Sequence, residues 1–144
     1  MQVAEILRTK GPAVEIARPD DNALTLAKHL RAQRIGAMVV SNDGSSLDGI
    51  ISERDLAYGL AVHGAALPNI LVADLMTTAV ITCAPQDTLA TVMSVMTQRR
   101  IRHLPVQENG RLVGLISIGD VLKHRMGEIQ MEANVLRDYA IAKR

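Results

Sequence analysis

The sequence contains no tryptophan and no phenylalanine, and Tyr58 and Tyr139 are its only tyrosines. A hydrophobic core must therefore be built from isoleucine, leucine, valine, alanine and methionine. Proteins that hold single-stranded nucleic acid stack the bases on aromatic side chains, so this scarcity disfavours that class of function. The net charge of +1 supplies no strong field for nucleic acid or an acidic membrane, and neither is expected as a partner.

Cys83 is the only cysteine, which excludes an intrachain disulfide and fits a reducing compartment, so we expect a cytoplasmic protein. Its thiol is expected to be a buried small hydrophobe. The sequence shows neither a secretory signal nor an apolar run long enough to span a membrane. No metal site is predicted, because ligand spacing is absent among the four histidines, His29, His63, His103 and His124.

Most of the chain is a duplication. Residues 16–44 align with residues 82–110 at an offset of 66 (110 − 44). Downstream, GIISERDL at 49–56 aligns with GLISIGDV at 114–121 at an offset of 65 (114 − 49). The first copy therefore carries one extra residue after its turn, where insertions are tolerated. A repeat of this length indicates two similar units that share a core.

Each copy predicts the same order of elements, β-α-β-β-α. A short first strand is expected around residues 14–16 and again around 80–81. The helix that follows is expected to begin at an Asp N-cap, with Leu24, Ala27 and Leu30 on its apolar face in copy one. The next two strands are expected to be joined by tight hairpin turns, at Asp43-Gly44 and Asn109-Gly110.

The predicted boundaries divide the chain into two units and a linker. The first unit covers residues 1–66 and includes a short leading helix over residues 1–10. The linker covers residues 67–79, with one helical turn at Val72–Met76. The second unit covers residues 80–144 and ends in an extended helix. The fold class is α/β (α+β), with two units related by a pseudo-twofold axis and packed through their sheets.

A Ser-x-x-Asp stretch recurs at the start of the last helix of each copy, as Ser52 to Asp55 and as Ser117 to Asp120. One interpretation is a capping box, in which the Ser is the N-cap and the acid reaches back to its amide. The other is a nucleotide site, where the helix start and the Ser hydroxyl bind phosphate and the Asp accepts from ribose hydroxyls. A P-loop and a Rossmann fingerprint are both excluded by missing residues.

The blocks "RIRHLPV", "GRLVGLISIGDV" and the more divergent "GAMVVSNDGSSLDGIISERDL" resemble the cystathionine-β-synthase-type (CBS) domain family, as a stand-alone tandem pair. The resemblance implies clefts between the two units that bind adenosyl ligands. In this family the Ser/Thr–Asp motif contacts phosphate and ribose. The end of the first strand reaches the base, and residues flanking the second strand line the pocket.

Carried over to this sequence, the resemblance implies two ligand sites. The site of the first copy would use seven residues: Ile16, Gly36, Ala37, Met38, Ser52, Arg54 and Asp55. The site of the second copy would use seven others: Thr82, Arg102, His103, Leu104, Ser117, Ile118 and Asp120. The two sites should differ in charge, since Gly36-Ala37 stands where the second copy has Arg102-His103. Strand alternation predicts that at most one of Arg102 and His103 points into a given cleft.

The resemblance implies a non-catalytic sensor that binds AMP, ADP, ATP or NAD(H) and acts on a separate, unidentified protein. S-adenosylmethionine is an alternative ligand, and a purely structural module whose Ser and Asp only cap helices is an alternative function. No enzyme is expected, because paired carboxylates and metal ligands are absent. A homodimer is expected, because the helix over about 118–140 carries more apolar residues than its own sheet can cover, with Gly127 as a possible bend.

Overall fold

A computed structural model describes residues 1–143 and shows a mixed α/β fold with the predicted duplication. Six α-helices and five strands occur within these residues, and a 3₁₀ helix, Gly64–Asn69, follows the third helix. In chain order the elements are α1 Val3–Lys10, β1 Ile16–Ala17, α2 Ala23–Gln33, β2 Ala37–Val40, β3 Gly49–Ser52, α3 Glu53–His63, α4 Val72–Leu75, α5 Leu89–Arg99, β4 His103–Glu108, β5 Arg111–Ser117 and α6 Ile118–Ala142.

The first unit contains a three-stranded sheet and the second a two-stranded sheet. β1 runs parallel to β2, and β2 is antiparallel to β3, while β4 and β5 form an antiparallel hairpin. The prediction of a strand at residues 80–81 is wrong, because the chain forms no strand there. Its place is taken two residues later by a single parallel bridge between Cys83 and Val106, the counterpart of the Ala17–Val40 pairing in the first unit. Cys83 is buried as expected, and burial raises the pKa of its thiol to about 12.

The two predicted hairpin turns differ. Asn109 and Gly110 join β4 to β5 directly, and both have positive φ, as a type I′ turn requires. The prediction at Asp43-Gly44 is wrong, because residues 41–48 form a longer loop between β2 and β3. The Asp43 carboxylate accepts hydrogen bonds from the amides of Ser45 and Ser46. These local bonds compete with the strand ladder and end it at Val40.

The core of each unit is built from equivalent residues. Ala23, Leu26 and Leu30 of α2 are buried, as are the residues 66 positions later, Leu89, Val92 and Met96 of α5. Leu24, predicted on this face, is exposed. The N-caps are Asn22 and Thr88, one residue after the predicted Asp, and their side chains accept from the amides of Thr25 and Thr91. The two aspartates instead accept from the amides of Arg18 and Ala84 within the preceding turns.

The two leading helices are exchanged between the units. Val3 and Ile6 of α1 are fully buried in the core of the second unit, and Val72 of α4 is fully buried in the core of the first. The backbone repeats the exchange: the Val3 amide donates to the Asp87 carbonyl at 2.9 Å, and the Val72 amide donates to the Asp21 carbonyl at 2.8 Å. This differs from the predicted boundaries, which assigned the leading helix to the first unit and the helical turn to a linker.

A second repeat in the sequence marks this exchange. Val3-Ala4-Glu5-Ile6-Leu7 matches Val72-Ala73-Asp74-Leu75-Met76 at an offset of 69 (72 − 3). Leu7 lies over Gly114, where a Cβ would collide with its Cδ2 atom, and Met76 lies over Gly49 in the same way. The recurrent glycine of each return strand therefore makes room for a leading helix.

Gly49→Ala should destabilise the protein by about 1–3 kcal/mol, the usual cost of overpacking. The new Cβ would lie 2.7 Å from Met76 Sδ and 2.9 Å from the Thr77 carbonyl oxygen, so the backbone itself would have to move. Gly127→Ala is the matched control: it lies within α6 with no atom within 4 Å of the new Cβ, and should stabilise by about 0.5–1 kcal/mol. Urea unfolding measures both changes, and an unaffected Gly49→Ala variant would contradict this account.

Candidate functional site

The Ser-x-x-Asp stretches form complete capping boxes at the starts of α3 and α6. The Ser52 amide donates to Asp55 Oδ2 at 2.8 Å, and the Ser117 amide donates to Asp120 Oδ2 at 2.9 Å. Asp is shorter than the Glu that usually closes a capping box, but it still reaches the N-cap amide here. Because each bond uses Oδ2, capping leaves Oδ1 of the same carboxylate available for another donor.

The residues just before β2 and β4 satisfy the first amide of each of these helices. The Glu53 amide donates to the Gly36 carbonyl at 3.0 Å, and the Ile118 amide donates to the Arg102 carbonyl at 2.8 Å. The Arg54 amide, at the second position of α3, donates to no acceptor among residues 1–143. This donor, at the positive end of the helix dipole, is suited to an anion.

A cleft of about 570 Å³ opens beside the start of α3, between the two units. The first unit contributes Gly36, Ala37, Ile50 and the beginning of α3 with Tyr58. The chain that connects the units contributes Thr77 and residues 79–81, and the second unit contributes residues 101–103. A ligand in this cleft would therefore contact both units at once.

The structure brings seven of the predicted site residues into this one cleft. They are Gly36, Ala37, Ser52, Arg54 and Asp55 of the first copy and Arg102 and His103 of the second. Both Arg102 and His103 border it. Arg102 precedes β4 in a bend, where the alternation of a regular strand does not apply. That at most one of the two side chains points into the cleft stays a prediction.

The other predicted site residues lie elsewhere. Met38 and Leu104 are fully buried in the two cores, and neither lines the cleft. Ile16 lies in β1, and Thr82 is exposed outside the cleft lining. Three more lie at the start of α6 and do not line this cleft: Ser117, Ile118 and Asp120.

Asp120 already has a cationic partner. The Lys10 ammonium lies 2.9 Å from Asp120 Oδ2. Burial alone would raise the pKa of Asp120, but the hydrogen bonds from Lys10 and from the Ser117 amide outweigh it and hold the pKa below its ordinary value. The equivalent Asp55 has no Lys, Arg or His side chain within 4 Å among the residues described.

Several lining residues were missed by the sequence analysis. Tyr58 lies one helical turn after Arg54 on α3, so the i, i+4 spacing could have placed both on one face. Thr77 follows from the register with β3, since it exchanges two backbone hydrogen bonds with Ile50. No sequence motif marks that pairing. Among the described residues no group of three His, Cys, Asp or Glu side chains could hold a metal ion.

His103 is the half-buried titratable group of the cleft. Its imidazole packs against Gly36, with Glu53 close by. Burial and the positive charge of Lys10 lower the pKa of His103, Arg102 adds to this, and Glu53 and Asp120 oppose it. The neutral imidazole is therefore favoured in the folded protein.

The duplicated units and the cleft between them define a tandem pair of small α/β modules. The chain belongs to the CBS domain family: the CBS domain model matches residues 3–61 and 72–127. Both matches begin at a leading helix, in agreement with the repeat at Val3 and Val72. In the described residues no helix is long and apolar enough to cross a membrane.

Two similar proteins are CBS domain proteins as well. The chain is 31% identical over 145 residues to the mitochondrial CBS domain-containing protein CBSX3 of Arabidopsis thaliana, covering 95% of this chain and 70% of that protein. It is 42% identical to the CBS-domain containing protein ATU1752 of Agrobacterium tumefaciens, whose crystal structure it matches with a TM-score of 0.83 over 87% of this chain and 99% of the other.

Two more distant structures share the fold and contain ligands. The CBS domain pair of MJ0100, in complex with 5′-methylthioadenosine and S-adenosylmethionine, is 24% identical and matches with a TM-score of 0.78 over 89% of this chain and 98% of the other. CBSX2, in complex with AMP, is 19% identical and matches with a TM-score of 0.76 over 88% of this chain and 97% of the other.

His103 should make the stability of the protein depend on pH. The unfolded imidazole takes up its proton near pH 6.5, whereas the lowered pKa keeps the folded one neutral to more acidic pH. The stability contribution is thus present above about pH 6.5 and is lost as pH falls toward the folded pKa. The difference in unfolding free energy between wild type and His103→Gln should shrink between about pH 7.5 and about pH 5.5. Other titrations cancel in this difference, so an unchanged value would contradict the prediction.

Proposed function

We propose that the chain is a non-catalytic regulatory module that binds an adenine nucleotide in the cleft beside Asp55. The observation that carries the proposal is the meeting of a helix start and two arginines, Arg54 and Arg102, in one cleft between the units. The module would act on a regulated protein, and the lone cysteine is consistent with a reducing compartment such as the cytoplasm.

The polar end of the cleft suits a ribose phosphate. The free Arg54 amide and the two guanidinium groups would donate to phosphate oxygens. Asp55 would keep its cap through Oδ2 and accept from a ribose hydroxyl through Oδ1. Capping and ligand binding are thus compatible uses of the same side chain.

The apolar part of the lining suits a flat base. Four aliphatic residues and the exposed Tyr58 contribute to it, the aliphatic ones being Ile50, Val80, Ile81 and Ile101. The sulfonium of S-adenosylmethionine is a cation, and two arginines in the cleft would repel it. We therefore favour AMP, ADP, ATP or NAD(H) as the ligand over S-adenosylmethionine. A structural module without a ligand is the second candidate, because both capping boxes are complete.

Asp55→Asn should weaken AMP binding by about tenfold or more, because a carboxylate–hydroxyl hydrogen bond contributes about 1.5–3 kcal/mol. Its unfolding free energy should fall by less than about 1 kcal/mol, since the amide oxygen can still cap. Adenosine should bind at least about tenfold more weakly than AMP, because it lacks the phosphate. Calorimetry measures the affinities, and thermal unfolding measures the stability.

Asp21→Asn is the matched control for Asp55→Asn. Its carboxylate accepts a backbone hydrogen bond from Arg18 at 2.9 Å but lies outside the cleft, so AMP affinity should not change. Unchanged affinity in Asp55→Asn would contradict the ribose role. A wild-type protein that binds no adenine nucleotide would favour the structural module.

We also propose that the chain forms a homodimer through α6. The helix runs unbroken through Gly127, and Val121 is its buried contact with the second unit. Further along, apolar residues recur in steps of four and three, as in a two-stranded coiled coil. This α6 seam consists of Leu122, Met126, Ile129, Ala133, Leu136 and Ala140, all exposed. Glu132 and Arg137 flank it at positions that would pair across two parallel copies.

Ile129→Glu combined with Leu136→Glu should convert the dimer to a monomer, because it places four carboxylates in the interface of two copies. Met131→Glu is the matched control: Met131 is 65% exposed on the same helix but lies off the α6 seam. It should leave the dimer intact. Light scattering at micromolar concentration distinguishes the species, and a monomeric wild type would contradict the proposal.

A further inference from the structure

The two pseudo-symmetric helix starts, at Asp55 and at Asp120, are bounded by different groups. Beside Asp55, the carbonyl of Ile50 accepts a hydrogen bond from the backbone amide of Thr77 at 2.9 Å. The equivalent carbonyl in the second copy, 65 residues later, is that of Leu115. It accepts from the Lys10 ammonium at 2.9 Å. The Lys10 ammonium of the second copy therefore takes the place that the backbone of Thr77 has beside Asp55.

An insertion explains this difference. The leading helices align at an offset of 69, whereas the first strands and second helices align at 66. The first copy thus has three more residues (69 − 66) between its leading helix and its first strand. α1 is correspondingly longer than α4, with eight residues against four. The additional turn brings Lys10 to the end of β5.

Lys10 also binds the Asp120 carboxylate, which this helix start would otherwise offer to a ligand. Its ammonium lies 2.9 Å from Asp120 Oδ2, the oxygen that accepts the Ser117 amide. Asp120 is 25% exposed and Lys10 40% exposed, so the pair is partly shielded from water. A ribose that binds Asp120 would have to displace the ammonium from two hydrogen bonds.

We infer that Lys10 takes the place of a ligand at the Asp120 helix start and restricts the chain to one nucleotide, bound beside Asp55. The inference rests on the proposed function, because it assigns the number of ligands to that function's two equivalent positions. Lys10 is in this view a specificity-determining residue: it decides which of two similar helix starts accepts a ribose. The second copy keeps its Ser-x-x-Asp motif, and the contacts of Lys10 with Leu115 and Asp120 are what prevent a nucleotide from binding there.

The test counts bound AMP by equilibrium dialysis of the full-length chain at up to millimolar AMP. Wild type should bind one AMP per chain, and Lys10→Ala should bind two. Lys10→Arg keeps the cation and should still bind one. In the Asp55→Asn background, adding Lys10→Ala should likewise raise the count by one. Thermal unfolding of each variant establishes that it is folded.

Each result decides the inference separately from the proposed function. Two AMP molecules on wild type, or one on both wild type and Lys10→Ala, would overturn the role of Lys10 while leaving nucleotide binding intact. No AMP on wild type but one on Lys10→Ala would support the role of Lys10 and overturn binding beside Asp55. No AMP on any folded variant would overturn both.

Discussion

The reciprocal docking of the two leading helices is the constraint on which the rest of the structure depends. α1 completes the core of the second unit, and α4 completes the core of the first. Neither core would be closed without the other copy's helix, because the buried Val3 and Val72 each fill the partner unit. The exchange also carries the connecting chain across the interface, and that chain is the wall of the Asp55 cleft.

The docking of the leading helices also explains the glycines that recur in the two return strands, Gly49 and Gly114. A glycine that precedes a possible nucleotide motif suggests a close approach between backbone and ligand. In the structure Gly49 and Gly114 are approached instead by Met76 and Leu7 of the docked helices. The Ser-x-x-Asp stretches, in contrast, are compatible with both helix capping and nucleotide binding, because the capping bond uses a single carboxylate oxygen. Capping preserves the helix start that a phosphate would need.

The sequence predicted the duplication, the starts of α3 and α6, and the order of elements except the first strand of the second copy, because these follow from local patterns repeated at a fixed offset. Seven of the fourteen predicted site residues line the cleft, and these belong to segments with clear local signals, such as Arg54 and Asp55 at a helix start. Met38 and Leu104 do not line the cleft, because their side chains are buried in the two cores. Thr77 and the exchange of α1 could not be predicted, because they depend on which unit a connecting segment packs against.

Small differences in length between the copies have separated two initially equivalent positions. The first copy has one extra residue in its turn and three between its leading helix and first strand. The turn lies at the surface, and its Asp43 bonds stay within the loop. The other insertion lengthens a docked helix, so its effect is transmitted to β5 of the opposite unit. Because the leading helices are exchanged, a length change in one copy alters the surroundings of the Ser-x-x-Asp stretch in the other. A duplicated fold becomes asymmetric in this way while both of its capping boxes are retained.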